Sequence, residues 1–113
     1  MLEEIIKGEG EYAKAGGYRS KRLAPVIKCA DGAELSVQAS RTHYCTPRTD
    51  TGPYSEVEIG FPTVAPPDSW ERYFDGDWVK DGPTNSVYAY VPIEMVREYV
   101  RLHGGEATDG NQS

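Results

Sequence analysis

The chain has 113 residues, enough for one small core and too few for two. Twelve Lys and Arg stand against eighteen Asp and Glu, a formal charge of −6 that disfavours a non-specific nucleic-acid binder. Two Trp, eight Tyr and two Phe are too many aromatics for a disordered tail, and no apolar run approaches the roughly 18 residues of a membrane span.

Leu2, Ile5 and Ile6 lie at helical spacing and stop at Gly8, which predicts a one- or two-turn helix that cannot nucleate by itself. Met1-Leu2-Glu3-Glu4 is not a basic-then-apolar leader. Gly8, Gly10, Gly16 and Gly17 make residues 8–18 a flexible stretch. Leu23–Cys29 and Glu34–Thr42 then read as a hairpin around Ala30-Asp31-Gly32. A two-residue turn would put Lys28 opposite Leu35 and mix polarity on one face. A three-residue loop with Gly32 left-handed pairs Lys28 with Glu34 and Ile27 with Leu35, and that register is preferred. It sends Leu23, Ile27, Leu35, Val37 and Ala39 to the core, and Arg22, Gln38, Ser40 and Thr42 to the other face.

Residues 43–53 are a loop, by Pro47, Asp50, Gly52 and Pro53. Tyr54–Pro62 alternates, with Val57, Ile59 and Phe61 inward. Residues 62–85, with four prolines and five acids, form an irregular excursion in which Asp68 or Ser69 would cap a single turn. Ser86–Val91 is a strand with Val87, Ala89 and Val91 on its core face and Tyr88 and Tyr90 opposite. Pro92 opens a helix through His103, with Val96, Tyr99, Val100 and His103 on one stripe, i,i+3 pairs Glu94–Arg97 and Glu98–Arg101 on the other, and Gly104 as its cap. The expected fold is α+β: a mainly antiparallel sheet of about four strands, a C-terminal helix packed on one face, and a short N-terminal helix. It is one domain over residues 1–104, and 105–113, lacking an apolar anchor, are expected to be a disordered tail.

The charge is unevenly spread. Residues 14–48 carry a net of +5, between an N-terminal stretch of −3 and a C-terminal stretch of −8. A basic block of this kind either pairs with the acidic remainder or gathers around an anion. Within it, Gln38, Ser40, Arg41, Thr42, His43, Tyr44 and Arg48 form a dense run of donors at a strand end, joined by Arg19 and Arg22. They suit either a phosphate or carboxylate ligand, with Tyr44 stacking on a base, or a polar strand face and a well-tied loop. His43 and Cys45 are two residues apart, the minimum for a thiolate–imidazole pair. No orienting third group is identifiable, so a buried, inert Cys45 is the simpler reading and no catalytic residue is assigned. Cys29, His43 and Cys45 lack the spacing of a zinc site, and neither metal nor cofactor is expected. Two cysteines do not make a disulfide scaffold, and the expected compartment is reducing and cytoplasmic. The aromatic cluster Trp70, Tyr73, Phe74 and Trp78 either anchors the excursion, which is preferred, or forms a protein interface. Outward Tyr88 and Tyr90 imply a subunit contact or packing beneath the excursion.

The segments Gly17–Pro25, Ser36–Arg48, Tyr54–Pro62, Val87–Val96 and His103-Gly104-Gly105 together resemble small phage and prophage accessory proteins. The resemblance implies a protein made in the bacterial cytoplasm that works by binding, as an anti-defence factor that sequesters a nucleotide signal or blocks a host protein. The expected function is therefore a non-enzymatic, homo-oligomeric binder of a small anionic, nucleotide-like ligand on the basic strand and loop surface. The alternative is a blocker of a host defence or nucleic-acid-binding protein through residues 62–85.

Overall fold

A computed structural model describes residues 1–9, 15–16, 20–21 and 23–107. Helix α1, Leu2–Lys7, buries Leu2, Ile5 and Ile6 and ends at Gly8, whose φ of 69° lets its amide reach the carbonyls of Glu4 and Ile5. In the stretch expected to be flexible, Ala15–Gly16 (β1) pairs antiparallel with Ser20–Lys21 (β2). The rest of the expected 8–18 segment beyond residue 9 lies outside the described residues.

Strands β3 (Ile27–Lys28), β4 (Glu34–Gln38), β5 (Glu56–Gly60) and β6 (Val87–Pro92) form one antiparallel sheet in that order. Ile27 faces Leu35 and Lys28 faces Glu34, the register expected from segregating polarity. Gly32 has a φ of 97°, and the Asp31 carboxylate accepts the Ala33 N–H at 2.9 Å to close the loop. Ile27, Leu35, Val37 and Ala39 are buried as expected, but Leu23 is 69% exposed. The ladder does not extend that far, because Pro25 lacks an N–H and the Gln38 side chain takes over the pairing of Ala24. Gln38 Oε1 accepts the Ala24 N–H at 2.9 Å, and its Nε2 donates to the Ala24 carbonyl at 2.8 Å. Gln38 and Ser40, expected on the polar face, are themselves buried.

On β5, Val57 and Ile59 are fully buried, whereas Phe61, expected inward, is 59% exposed. Its φ of 46° ends the period-2 alternation one residue early. A larger correction concerns β6. Ile59 pairs with Tyr88 and Val57 with Val91, so two residues, Ala89 and Tyr90, oppose Glu58 alone. This is a β-bulge, and Tyr90 absorbs it with a φ of 56°. Tyr88 and Val91 therefore both reach the core although they are three apart, and Tyr88 is wholly buried. It packs beneath the excursion and has no surface to offer a partner.

Between β5 and β6, Asp68–Tyr73 form a 3₁₀ helix and Trp78–Asp81 a one-turn helix α2. Neither Asp68 nor Ser69 caps the first. Its N-cap is Pro67, whose carbonyl already accepts the Trp70 N–H at 2.9 Å. Asp77 caps α2 through bonds to the N–H groups of Val79 and Lys80. Trp70, 2% exposed, fastens the excursion to the core, with its ring 5.4 Å from that of Tyr88 and 5.7 Å from that of Tyr99. Helix α3, Ile93–Leu102, follows β6 directly and buries Val96, Tyr99 and Val100. Arg97 bonds Glu94 and Arg101 bonds Glu98, as the spacing predicts.

Residues 105–107 depart from the expected disordered tail. Gly104 and Gly105, at φ of 89° and 82°, turn the chain back. Gly105 then accepts from the Ala30 N–H, the Ala107 N–H donates to the Lys28 carbonyl, and Glu106 bridges Cys29. Backbone pairing needs no apolar anchor. Residues 108–113 lie outside the described residues.

Candidate functional site

The polar run at the end of β4 is largely bonded to itself. The Ser40 hydroxyl, 1% exposed, lies 2.9 Å from Thr42 Oγ1 and 2.7 Å from His43 Nδ1. Cys45 directs its thiol to the carbonyls of Ser40 (3.1 Å) and Pro47 (3.4 Å). The Arg41 backbone N–H bonds Asp50 at 2.9 Å, and its guanidinium lies 3.7 Å from the same carboxylate. Tyr54 closes the loop from below, donating its hydroxyl to the Thr49 carbonyl at 2.8 Å, and burial pushes that phenol up to about 12. The Ser40 hydroxyl and the Cys45 thiol are thus not presented to solvent. Cys29 sits apart at the end of β3, its thiol pushed up to about 11 by burial and by nearby Asp31 and Glu106. Arg19 and Arg22 lie outside the described residues.

What this knot positions is Tyr44. Its N–H bonds the Glu58 carboxylate at 3.1 Å, and its carbonyl accepts the Tyr90 N–H at 3.0 Å. The two rings lie 5.8 Å apart with a tilt of 40°, and both are more than a third exposed. They open into a groove of about 420 Å³ lined also by Arg72, Tyr73, Phe74, Asp75 and Ala89. Phe74 is braced from behind, edge-on, by Trp78 at 5.4 Å and Tyr88 at 5.1 Å. The Arg48 guanidinium stands 5.3 Å from the centre of the Tyr44 ring, and that of Arg72 stands 5.6 Å from the Tyr73 ring.

The described arginines fall into two sets. Arg41, Arg97 and Arg101 are ion-paired with carboxylates. Arg48 and Arg72 lie on tyrosine rings instead, and neither is in an ion pair among the described residues. The groove joins residues expected in two different places: Tyr44, with Arg48 on its ring, from the strand-end group, and Tyr73, Phe74 and Tyr90 from the partner-binding group. Trp70, Trp78 and Tyr88 support it from inside. Arg72 and Asp75 were not singled out from the sequence, where a lone arginine in an acidic excursion reads as surface charge. Its adjacency to Tyr73 in an aromatic run was the available signal.

Among the described residues, no group of three His, Cys, Asp or Glu side chains is placed to hold a metal ion, and no helix is long and apolar enough to cross a membrane. Comparison of the chain with protein-family models, curated proteins and solved structures gives no match.

Proposed function

We propose that this protein is a non-enzymatic binding protein of the phage accessory kind, whose groove between Tyr44, Tyr73 and Tyr90 receives a small anionic, nucleotide-like ligand. The observation that carries this reading is the pair of arginines without carboxylate partners among the described residues, each set on a tyrosine at the groove. A guanidinium on an aromatic face keeps its N–H fork available for a phosphate, and exposed rings offer a stacking surface of about 1–3 kcal/mol per base. The groove's volume falls in the range of small-molecule sites. Ser40, Thr42, His43 and the Arg41–Asp50 pair serve this site indirectly, by fixing the loop that carries Tyr44 and Arg48, whereas Gln38 is spent on the Ala24 backbone. Sequestration of a nucleotide signal by a homo-oligomer in the bacterial cytoplasm is the biological role that fits.

The test is native mass spectrometry of the protein purified from a bacterial host, followed by calorimetric titration of mononucleotides. A phosphate-containing mass released on denaturation, with affinity reduced about tenfold or more by Arg48→Ala combined with Arg72→Ala, is the expected result. Binding unchanged in the double variant would remove the groove from consideration.

A second reading, a protein blocker acting through residues 62–85, is favoured by Val79, which is 89% exposed on α2 beside the exposed Asp77 and Asp81. Deleting the excursion would strip Trp70 from the core, so Val79→Glu is the cleaner probe. Loss of host-protein capture in that variant, with nucleotide binding absent from the wild type, selects the blocker.

A further inference from the structure

Building on the nucleotide-binding reading, we infer that Asp75 makes the groove selective for a base that presents two adjacent N–H donors, the guanine type. Asp75 supplies the carboxylate among the groove-lining residues, and its backbone is pinned on both sides. Its N–H donates to the Val87 carbonyl at 2.8 Å, its carbonyl accepts the Ser86 hydroxyl at 2.8 Å, and the preceding Phe74 bridges Tyr88. The side chain therefore starts from a fixed point beside β6. Its carboxylate has no hydrogen bond or ion pair among the described residues.

A carboxylate only accepts, and it repels phosphate. A nucleotide in the groove must then turn its phosphate toward Arg48 and Arg72 and bring the edge of its base to Asp75. The bases differ in what they offer there. Guanine presents N1–H and N2–H side by side, matching the two carboxylate oxygens. Adenine sets the N1 acceptor next to its N6 donor, and cytosine sets N3 next to N4, so one carboxylate oxygen faces a lone pair in each case. Uracil offers a single N–H between two carbonyls. A matched bidentate contact in a stacked site discriminates by about tenfold or more.

The experiment is calorimetric titration of the full chain, at one salt concentration, with GMP, IMP, AMP, CMP and UMP, repeated on Asp75→Asn and Asp75→Ala. GMP is expected to bind about tenfold tighter than AMP, CMP and UMP, with IMP between, because it lacks the N2 amino group. Asp75→Ala is expected to bind all five within about threefold of one another, and Asp75→Asn, whose amide sets a donor beside an acceptor, to lose the guanine preference in favour of AMP and CMP. Circular dichroism checks that both variants are folded, as an exposed residue should allow. Equal binding of the five by the wild type, or a guanine preference that survives both variants, overturns the selectivity while leaving the groove a nucleotide site. Failure of all five to bind overturns both.

Discussion

Tyr88 and Tyr90 are two residues apart on one strand, yet one is a core residue and the other lines the groove. A regular strand would turn both to the same face. The bulge separates them, at the cost of holding a bulky residue at a φ of 56°, a left-handed conformation worth of order 1–3 kcal/mol of strain. Such strain is retained where the surroundings over-determine it, and here the backbone bond to Tyr44 and the paired rings do so. Tyr90→Gly is accordingly expected to shift unfolding stability by less than about 1 kcal/mol, since relief of strain offsets the lost ring contact and the added freedom of the unfolded chain. On the nucleotide-binding function proposed above, it should weaken ligand binding strongly. Trp70→Ala is the opposite case: a fully packed ring removed from the core costs about 3–5 kcal/mol. Urea denaturation of the two variants measures both.

The elements differ in how far they stand alone. Helix α3 carries its own i,i+3 ion pairs and an apolar stripe, so its pattern predicts it well. Helices α1 and α2 and the 3₁₀ helix have at most six residues each, too short to persist without packing. The β3–β4 hairpin loop is joined to the end of α3 by Asp31 and His103, 2.6 Å apart. The Ala33 N–H, and then His103, hold the Asp31 carboxyl below its ordinary value of 3.8. A carboxyl lowered in the folded state adds stability that is present above that value and lost as pH falls through the folded one. In Asp31→Asn the side-chain oxygen still accepts from Ala33, so the variant isolates the His103 contact. Its stability deficit relative to wild type, followed by thermal melts from pH 6 down to pH 2, is expected to shrink below about pH 4. A deficit constant across that range would show the contact to be without electrostatic weight.

At the scale of the whole molecule, α1 is locked to the 43–53 loop where two glycine backbones meet. A Cβ on Gly8 would lie 2.5 Å from the Gly52 nitrogen, and one on Gly52 would lie 2.6 Å from the Lys7 carbonyl oxygen. The Tyr54 N–H donates to Ile6 across the same junction, and Arg97 forks onto Glu3 to tie α1 to α3. Gly8→Ala, which adds a left-handed φ to the clash, is expected to lower stability by about 1–3 kcal/mol or more, and Gly52→Ala by a similar amount. Arg97→Ala, an exposed ion-pair loss, should cost no more than about 1 kcal/mol. Chemical denaturation of the three ranks the junction above the ion pair if this packing is what holds α1.

Local rules were enough for the α+β class, the hairpin register, the alternation of β5 and the stripe of α3. Each follows from spacing within a dozen residues: polarity must segregate across a three-residue loop, and a buried face must repeat every two residues or every turn. The same rules misplaced Leu23, Phe61 and Tyr88, because an edge, a left-handed residue and a bulge each shift a periodicity by one, and composition does not mark where the shift occurs. The candidate site was legible in pieces. Tyr44 and Arg48 stood out for donor density, and Tyr73, Phe74 and Tyr90 for exposed aromaticity. Nothing in the sequence joined them, since the two sets are separated by the whole of β5 and meet only because the excursion folds back along β6. Which arginines pair with carboxylates and which rest on tyrosines is likewise a matter of distances across the fold. The sequence alone therefore determined the elements and the kinds of side chain available to bind, while tertiary packing decided which of them share a groove.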